Sequence, residues 1–110
     1  MYRKTAFVES LGNSPLIRIL DYLIEGRELD YSLTDISENA HVSWSTLHRI
    51  WGNLEKYKWI KFSRPIGRAK LYRLNTENPA VKHLIELYDT VLLENTEKHF
   101  RKRRKIAVKH

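Results

Sequence analysis

"HVSWSTLHRIWGNLEKYKWIKFSRPIGRAKLYRLN", residues 41–75, decides the fold. Leu47, Ile50, Trp51 and Leu54 fall at i, i+3, i+4 and i+7, the spacing of one apolar helix face. Ser43 suits the N-cap, and the spacing predicts a helix from 44 to about 58. Ser45, His48, Arg49, Asn53 and Lys56 then lie on the opposite face. Gly52 shares that face. It costs about 1 kcal/mol relative to alanine in a helix, but a missing side chain lets another backbone approach. Two β-rich runs follow, at 59–63 and 69–74. They flank Arg64-Pro65-Ile66-Gly67-Arg68, a turn containing both proline and glycine, so a hairpin is expected.

Upstream, "RKTAFVESLGN" (3–13) reads as a short helix stopped by Gly12. "NSPLIRILDYLIEG" (13–26) is stronger. Ser14 can cap, Pro15 suits the first helical position, and Leu16, Ile19, Leu20, Leu23 and Ile24 form the stripe. "LDYSLTDISENA" (29–40) holds an extended piece at 30–33, then a short helix capped near Ser32 or Thr34 with Ile36 and Ala40 inward. The three- to four-residue gap before the next helix is helix-turn-helix spacing. Downstream, Asn78 and Pro79 open a helix of about 20 residues. Val81, Leu84, Ile85, Leu87, Tyr88, Val91 and Leu92 cover an arc of about 160° on it. So broad a stripe exceeds what one small domain needs. A second copy of the same helix is the simplest cover, with Leu84, Leu87, Tyr88, Val91 and Leu92 at the contact.

The expected architecture is α+β and mainly α. A short N-terminal helix (1–13) precedes a helix-turn-helix with a hairpin (14–76), a long C-terminal dimerisation helix (77–100) and a basic tail (101–110). The 110 residues allow one small domain, and 42% apolar content supports a modest core. There is no cysteine, hence no disulfide framework or thiolate chemistry. The first residues lack a signal-peptide core and no apolar run approaches bilayer length, so a cytoplasmic protein is expected.

The net charge of +7 is segregated along the chain. Residues 1–40 carry −3, 41–74 carry +7, 75–97 carry −4 and 98–110 carry +7. Two cationic blocks in an otherwise acidic chain suit a surface that meets a polyanion.

"VSWSTLHRIWGNLEKYKWIKFSR" (42–64) resembles the helix-turn-helix signature of MarR- and ArsR-type regulators. "IGRAKLYRLNTENPAVKHL" (66–84) is similar to the wing and following helix of small archaeal winged-helix proteins described as transcriptional regulators. The resemblance covers roughly residues 8–97. It implies a winged helix-turn-helix whose recognition helix enters the DNA major groove while the wing tip meets the backbone or minor groove. A helix about 10–12 Å across independently matches a groove about 12 Å wide. On this reading Arg49 contacts guanine, and His48 a base or phosphate. Ser45 and Thr46 contact phosphates, and Asn53 and Lys56 position the far end. Arg64, Arg68 and Lys70 serve on the wing. The expected partners are double-stranded DNA and a second copy of the chain.

Other readings stand beside this one. A polar helix face can be merely solvated. Trp44 could touch DNA or cover the core edge, being i−7 from Trp51. Trp51, Tyr57, Trp59 and Tyr72 read as core aromatics. His83 and Glu86 share a helix face with His99 farther along, and some ArsR-type sensors bind zinc on this helix. Their usual Asp-x-His pair has no match here, so no metal and no cofactor is expected. No glycine-rich phosphate loop or nucleophile–base–acid set points to an enzyme. The tail, with five consecutive Lys/Arg at 101–105, is either a solvated end or an arm that tracks phosphates; without an apolar face it does not suggest membrane binding. The rival functions are an architectural DNA-binding protein with little sequence preference and a winged helix used for protein docking.

Overall fold

Four helices, a hairpin and a long final helix follow in the expected order in the computed structural model, which describes the backbone of residues 2–108 and the side chains of residues 2–97. The helices are α1 (Ala6–Leu11), α2 (Pro15–Glu25), α3 (Leu33–Ala40), α4 (Trp44–Lys56) and α5 (Pro79–Val108). Strands β1 (Ile60–Ile66) and β2 (Ala69–Leu74) form an antiparallel pair. Serines set the starts of α2, α3 and α4. Ser14 accepts from the Ile17 amide, and Ser43 from the Thr46 amide. Ser32 and Asp35 form a reciprocal capping box on α3.

The turn between α3 and α4 depends on His41, which caps α3 in the left-handed conformation at φ 55°. Arg18 of α2 staples it from below. Its guanidinium donates to the carbonyls of Asn13 (2.7 Å), Ala40 (2.9 Å) and His41 (3.0 Å). Charged donors thus satisfy carbonyls that the end of α3 leaves open.

The core gathers Ile19, Leu20, Leu23 and Ile24 of α2 with Ile36 and Ala40 of α3. Leu47, Trp51 and Leu54 of α4 complete it with Leu74 and Val81. Trp51 is buried as expected, and Trp59 and Tyr72 pack partly buried against the cluster. Tyr57 corrects the sequence reading. It is 64% exposed, because it caps α4 and the chain then turns away at Lys58 with φ 60°. The Asn75 and Asn78 side-chain amides hold the Lys58 carbonyl at that turn.

The hairpin also differs from expectation. Arg64, Pro65 and Ile66 pair with Leu71, Lys70 and Ala69, leaving only Gly67 and Arg68 as the turn. A bulge at Ser63 shifts the register between Phe62 and Arg64, and β1 is an edge strand, where proline is tolerated. Gly67 takes φ +58°, the geometry glycine supplies at the first position of a two-residue hairpin. The expected extended piece at 30–33 is a single bridge, Tyr31 to Tyr72, with both N–H···O distances 2.8 Å.

Helix α5 continues beyond residue 100 to Val108. The expectations for His99 and for the basic tail's side chains fall outside the described residues. Tyr88 is a second correction: it is 6% exposed within the single chain. Its ring lies 5.1 Å from that of Phe7, because α1 packs on α5 and takes part of the stripe. Burial, with the carboxylates of Asp21 and Glu25 nearby, pushes its hydroxyl up to about 12. Asp21 is fully buried and collects Tyr2, Arg3 (3.2 Å) and Thr5 (2.6 Å), tying the N-terminal residues to α2. No helix among the described residues is long and apolar enough to cross a membrane.

Replacing Arg18 with methionine should cost about 1.5–3 kcal/mol, the range for hydrogen bonds to a charged group. Thermal unfolding followed by circular dichroism should therefore shift down by roughly 5–15 °C. Arg18→Lys should recover only a minority of the loss, since an ammonium cannot reproduce the fork that spans three carbonyls.

Candidate nucleic-acid interface

Because Leu47, Trp51 and Leu54 point into the core, the rotation of α4 about its axis is fixed. Ser45, His48, Arg49, Gly52, Asn53 and Lys56 are accordingly exposed on its outer side. Ser45, Arg49, Gly52 and Lys56 lie nearest the middle of that face, so two small residues alternate there with two cations. Nothing lies within 4 Å of a side chain built at Gly52. Thr46 differs from its neighbours. It is half-buried, and its hydroxyl accepts from Ser43 at 2.9 Å within the helix cap. Trp44 is 51% exposed and meets the His48 ring edge-on, with centroids 4.6 Å apart. It does not cover the core.

The cations of this region divide into two sets. Arg49, Lys56, Arg68 and Lys70 are exposed, and none makes an ion pair among the described residues. Lys58 and Lys61 share these properties and were missed from sequence; only the general charge segregation pointed to them. Arg64 is the exception. Its guanidinium binds Asp30 at 2.9 Å and 3.4 Å, and Ser63 donates to the same carboxylate at 2.7 Å. Its expected place in the hairpin turn is corrected: it is a strand residue that holds the base of the wing. Hydrogen bonds from Arg64 and Ser63 keep the Asp30 carboxyl below the usual carboxylate range. The wing tip presents Ile66, Arg68 and Lys70 to solvent, and Ile66, 53% exposed, was also missed from sequence.

A shallow cleft of about 230 Å³ adjoins the far end of α4, lined by Leu16, Ile50, Asn53, Leu54, Tyr57 and Trp59. Asn53 therefore borders apolar surface as well as the outer face. On α5, Leu87 and Leu92 are exposed as expected, Val91 and Leu84 are half-buried, and exposed Leu93 extends the patch. His83 and Glu86 approach to 3.7 Å, both exposed. Among the described residues no group of three or more histidine or acidic side chains could hold a metal.

No protein-family model matches the chain, and no curated protein matches it. Solved structures do. An apo form of a Lactococcus lactis ZitR mutant superposes with a TM-score of 0.62 at 18% identity, over 86% of this chain and 76% of that one. ZitR is described as a zinc-responsive MarR family member. NadR in complex with 4-hydroxyphenylacetate gives 0.61 at 17% identity, over 94% of this chain and 74% of that one. Wild-type ZitR in complex with DNA gives 0.56 at 16% identity, over 84% and 67%. At these identities the likeness establishes the fold alone, a winged helix-turn-helix.

The ion pair at the wing base sets a pH dependence. Asp30 has its carboxyl pKa lowered by folding, so its contribution is present above the unfolded value of about 3.9 and is lost as pH falls through the lower folded value. Protection of the hairpin amides, taken relative to intrinsic exchange at each pH, should hold from neutral pH down through pH ~4 and fall below it. Asp30→Asn should show the lower protection already at neutral pH. Unchanged exchange in that variant would mean the wing is held by other contacts.

Proposed function

We propose that this chain is a sequence-specific double-stranded DNA-binding protein, a transcriptional regulator acting as a homodimer. One observation carries the reading: α4 turns toward solvent a face of small residues, hydrogen-bonding groups and unpaired cations, and the adjacent hairpin ends in unpaired cations too. A solvated surface has no need to segregate its cations from its carboxylates. On this reading α4 lies in the major groove, with Arg49 on a base edge and Ser45, His48, Asn53 and Lys56 around it. Arg68 and Lys70 at the wing tip meet the adjacent backbone or minor groove, with Lys61 toward the base of the hairpin opposite Arg73. The ZitR–DNA complex supports this, being a DNA-bound protein of the same fold.

The exposed leucines of α5, Leu87, Leu92 and Leu93, with half-buried Leu84 and Val91, support pairing with a second copy. Tyr88 contributes from beneath, as part of the core on which that face rests. Two-fold pairing would set two recognition helices about 34 Å apart on successive major grooves, so the site should be pseudo-palindromic. Selection from random duplex DNA at near-physiological salt tests the proposal, and an inverted repeat is the expected product. The second reading, an architectural DNA-binding protein, is favoured by the charge of +7 over residues 98–110. It predicts that unrelated DNA competes as well as any selected site.

Arg49→Ala should cost about 1–3 kcal/mol and relax preference at one base position, while Arg68→Ala should weaken all sequences alike and reduce the salt slope by about one. Titrations at several salt concentrations separate the two effects. Gly52→Ala should move stability and binding in opposite directions. The helix gains roughly 0.5–1 kcal/mol, seen as a higher melting temperature, while the added methyl holds DNA away and weakens binding. A variant that gains stability and keeps full affinity would place the outer face of α4 away from the duplex.

A further inference from the structure

We propose that Trp44 reads the 5-methyl group of thymine in the major groove, with His48 as the positioning residue that holds its indole; this rests on the DNA-binding reading above. Trp44 lies seven residues before Trp51, nearly the same angular position on the helix. Trp51 is buried and Trp44 is half exposed. The difference is local: Leu47 in the same turn is fully enclosed, whereas the Trp44 ring lies at the flank of the helix against His48. Helical side chains lean toward the helix N-terminus, so the His48 ring, one turn on, reaches back to the indole. Recognition helices contact base edges mainly through these N-terminal residues.

Within α4, Trp44 is the only large hydrophobic side chain among the described residues with this exposure. The groups on the outer face beside it, Ser45, Arg49, Asn53 and Lys56, offer hydrogen bonds and charge. Base edges in the major groove offer hydrogen-bonding atoms with a single apolar exception, the thymine methyl. The apolar group of the helix face thus has one natural counterpart on the duplex. Stacking is not available as an alternative, because paired bases lie within the helix stack. The His48 ring meets the indole at 4.6 Å and 72°. This contact restricts the rotation that would otherwise let an exposed tryptophan slide off a small target.

The test uses a selected duplex site in which each thymine is replaced, one at a time, by deoxyuridine. That change removes a methyl group and leaves base pairing intact. At one or two positions in each half-site, wild type should bind roughly three- to five-fold more weakly, the ratio expected for one buried methyl. Trp44→Ala should bind thymine and deoxyuridine sites equally, and Trp44→Phe should keep part of the discrimination. His48→Ala should reduce discrimination more than it reduces overall affinity. Thermal unfolding of each variant checks that the fold is retained.

A flat deoxyuridine scan overturns the assignment of Trp44. If Arg49→Ala still relaxes one base position in that case, the recognition-helix reading survives. Equal weakening of every sequence by Trp44→Ala, with a flat scan, would make the indole a backbone contact instead. Failure of the wild-type protein to prefer any duplex overturns both proposals together.

Discussion

The burial of Leu47, Trp51 and Leu54 against α2, α3 and the base of the hairpin decides which way α4 faces. A helix has one rotational degree of freedom about its axis, and each residue advances it by 100°. With Leu47 fully enclosed, a rotation by even one residue's step would expose it and bury a polar neighbour such as His48. Removing a large apolar side chain from water contributes about 1.5–3 kcal/mol, and all three residues act in the same sense. The outward direction of Arg49 and Gly52 is therefore a consequence of packing on the opposite face. Arg18 and the left-handed His41 then set the angle at which α4 leaves α3.

The features legible in sequence are those with local signatures. Ser14, Ser32 and Ser43 announce helix starts because a cap is satisfied within three residues, and all three cap in the structure. Apolar spacing placed the core face of α4 because that spacing is itself the cause of burial. What escaped depends on partners far away in the chain. Arg64 looked free at a hairpin turn, yet its carboxylate partner is 34 residues earlier. Tyr88 looked available to a second copy, but Phe7 of α1 occupies one side of it. Tyr57 fits an aromatic core pattern until the helix ends beneath it. The Ser63 bulge has no compositional signal; beyond it, residues 64–66 belong to β1, which shortens the turn from five residues to two and changes the role of Arg64.

The carboxylates follow a different logic from the cations. Asp21 anchors the N-terminal residues, Asp30 the wing, and Asp89 receives a two-pronged contact from Arg27 at 2.8 Å and 3.0 Å. Each joins segments distant in sequence, so acidic residues are used within the fold. Cations on α4 and the wing tip have no such internal partners among the described residues. The sign of the free charge is thus a product of folding as well as of composition: a chain with 13 acidic residues uses several of them away from the basic face.

The orientation of α5 relative to α4 follows from contacts at its N-terminal end. Asn78 caps α5 by accepting from the Ala80 amide at 2.8 Å, and donates to the carbonyls of Tyr57 and Lys58 at the end of α4, each at 3.1 Å. One side chain thus joins α4 to the helix proposed to pair. Arg27 and Asp89 add a second tie, three turns along α5, from the end of α2. Two attachments separated along a rigid helix fix direction as well as position. In the proposed dimer, a shift in how the mate seats on Leu87, Leu92 and Leu93 would therefore be carried to α4 with little slack. At 1.5 Å rise per residue, the 14 residues from Asn78 to Leu92 act as a lever of about 21 Å. A small rotation at the leucine patch then becomes a displacement of ångströms at the recognition helix, large against the tolerance of a hydrogen bond to a base edge. In the proposed dimer, spacing between half-sites should accordingly be read through packing on α5.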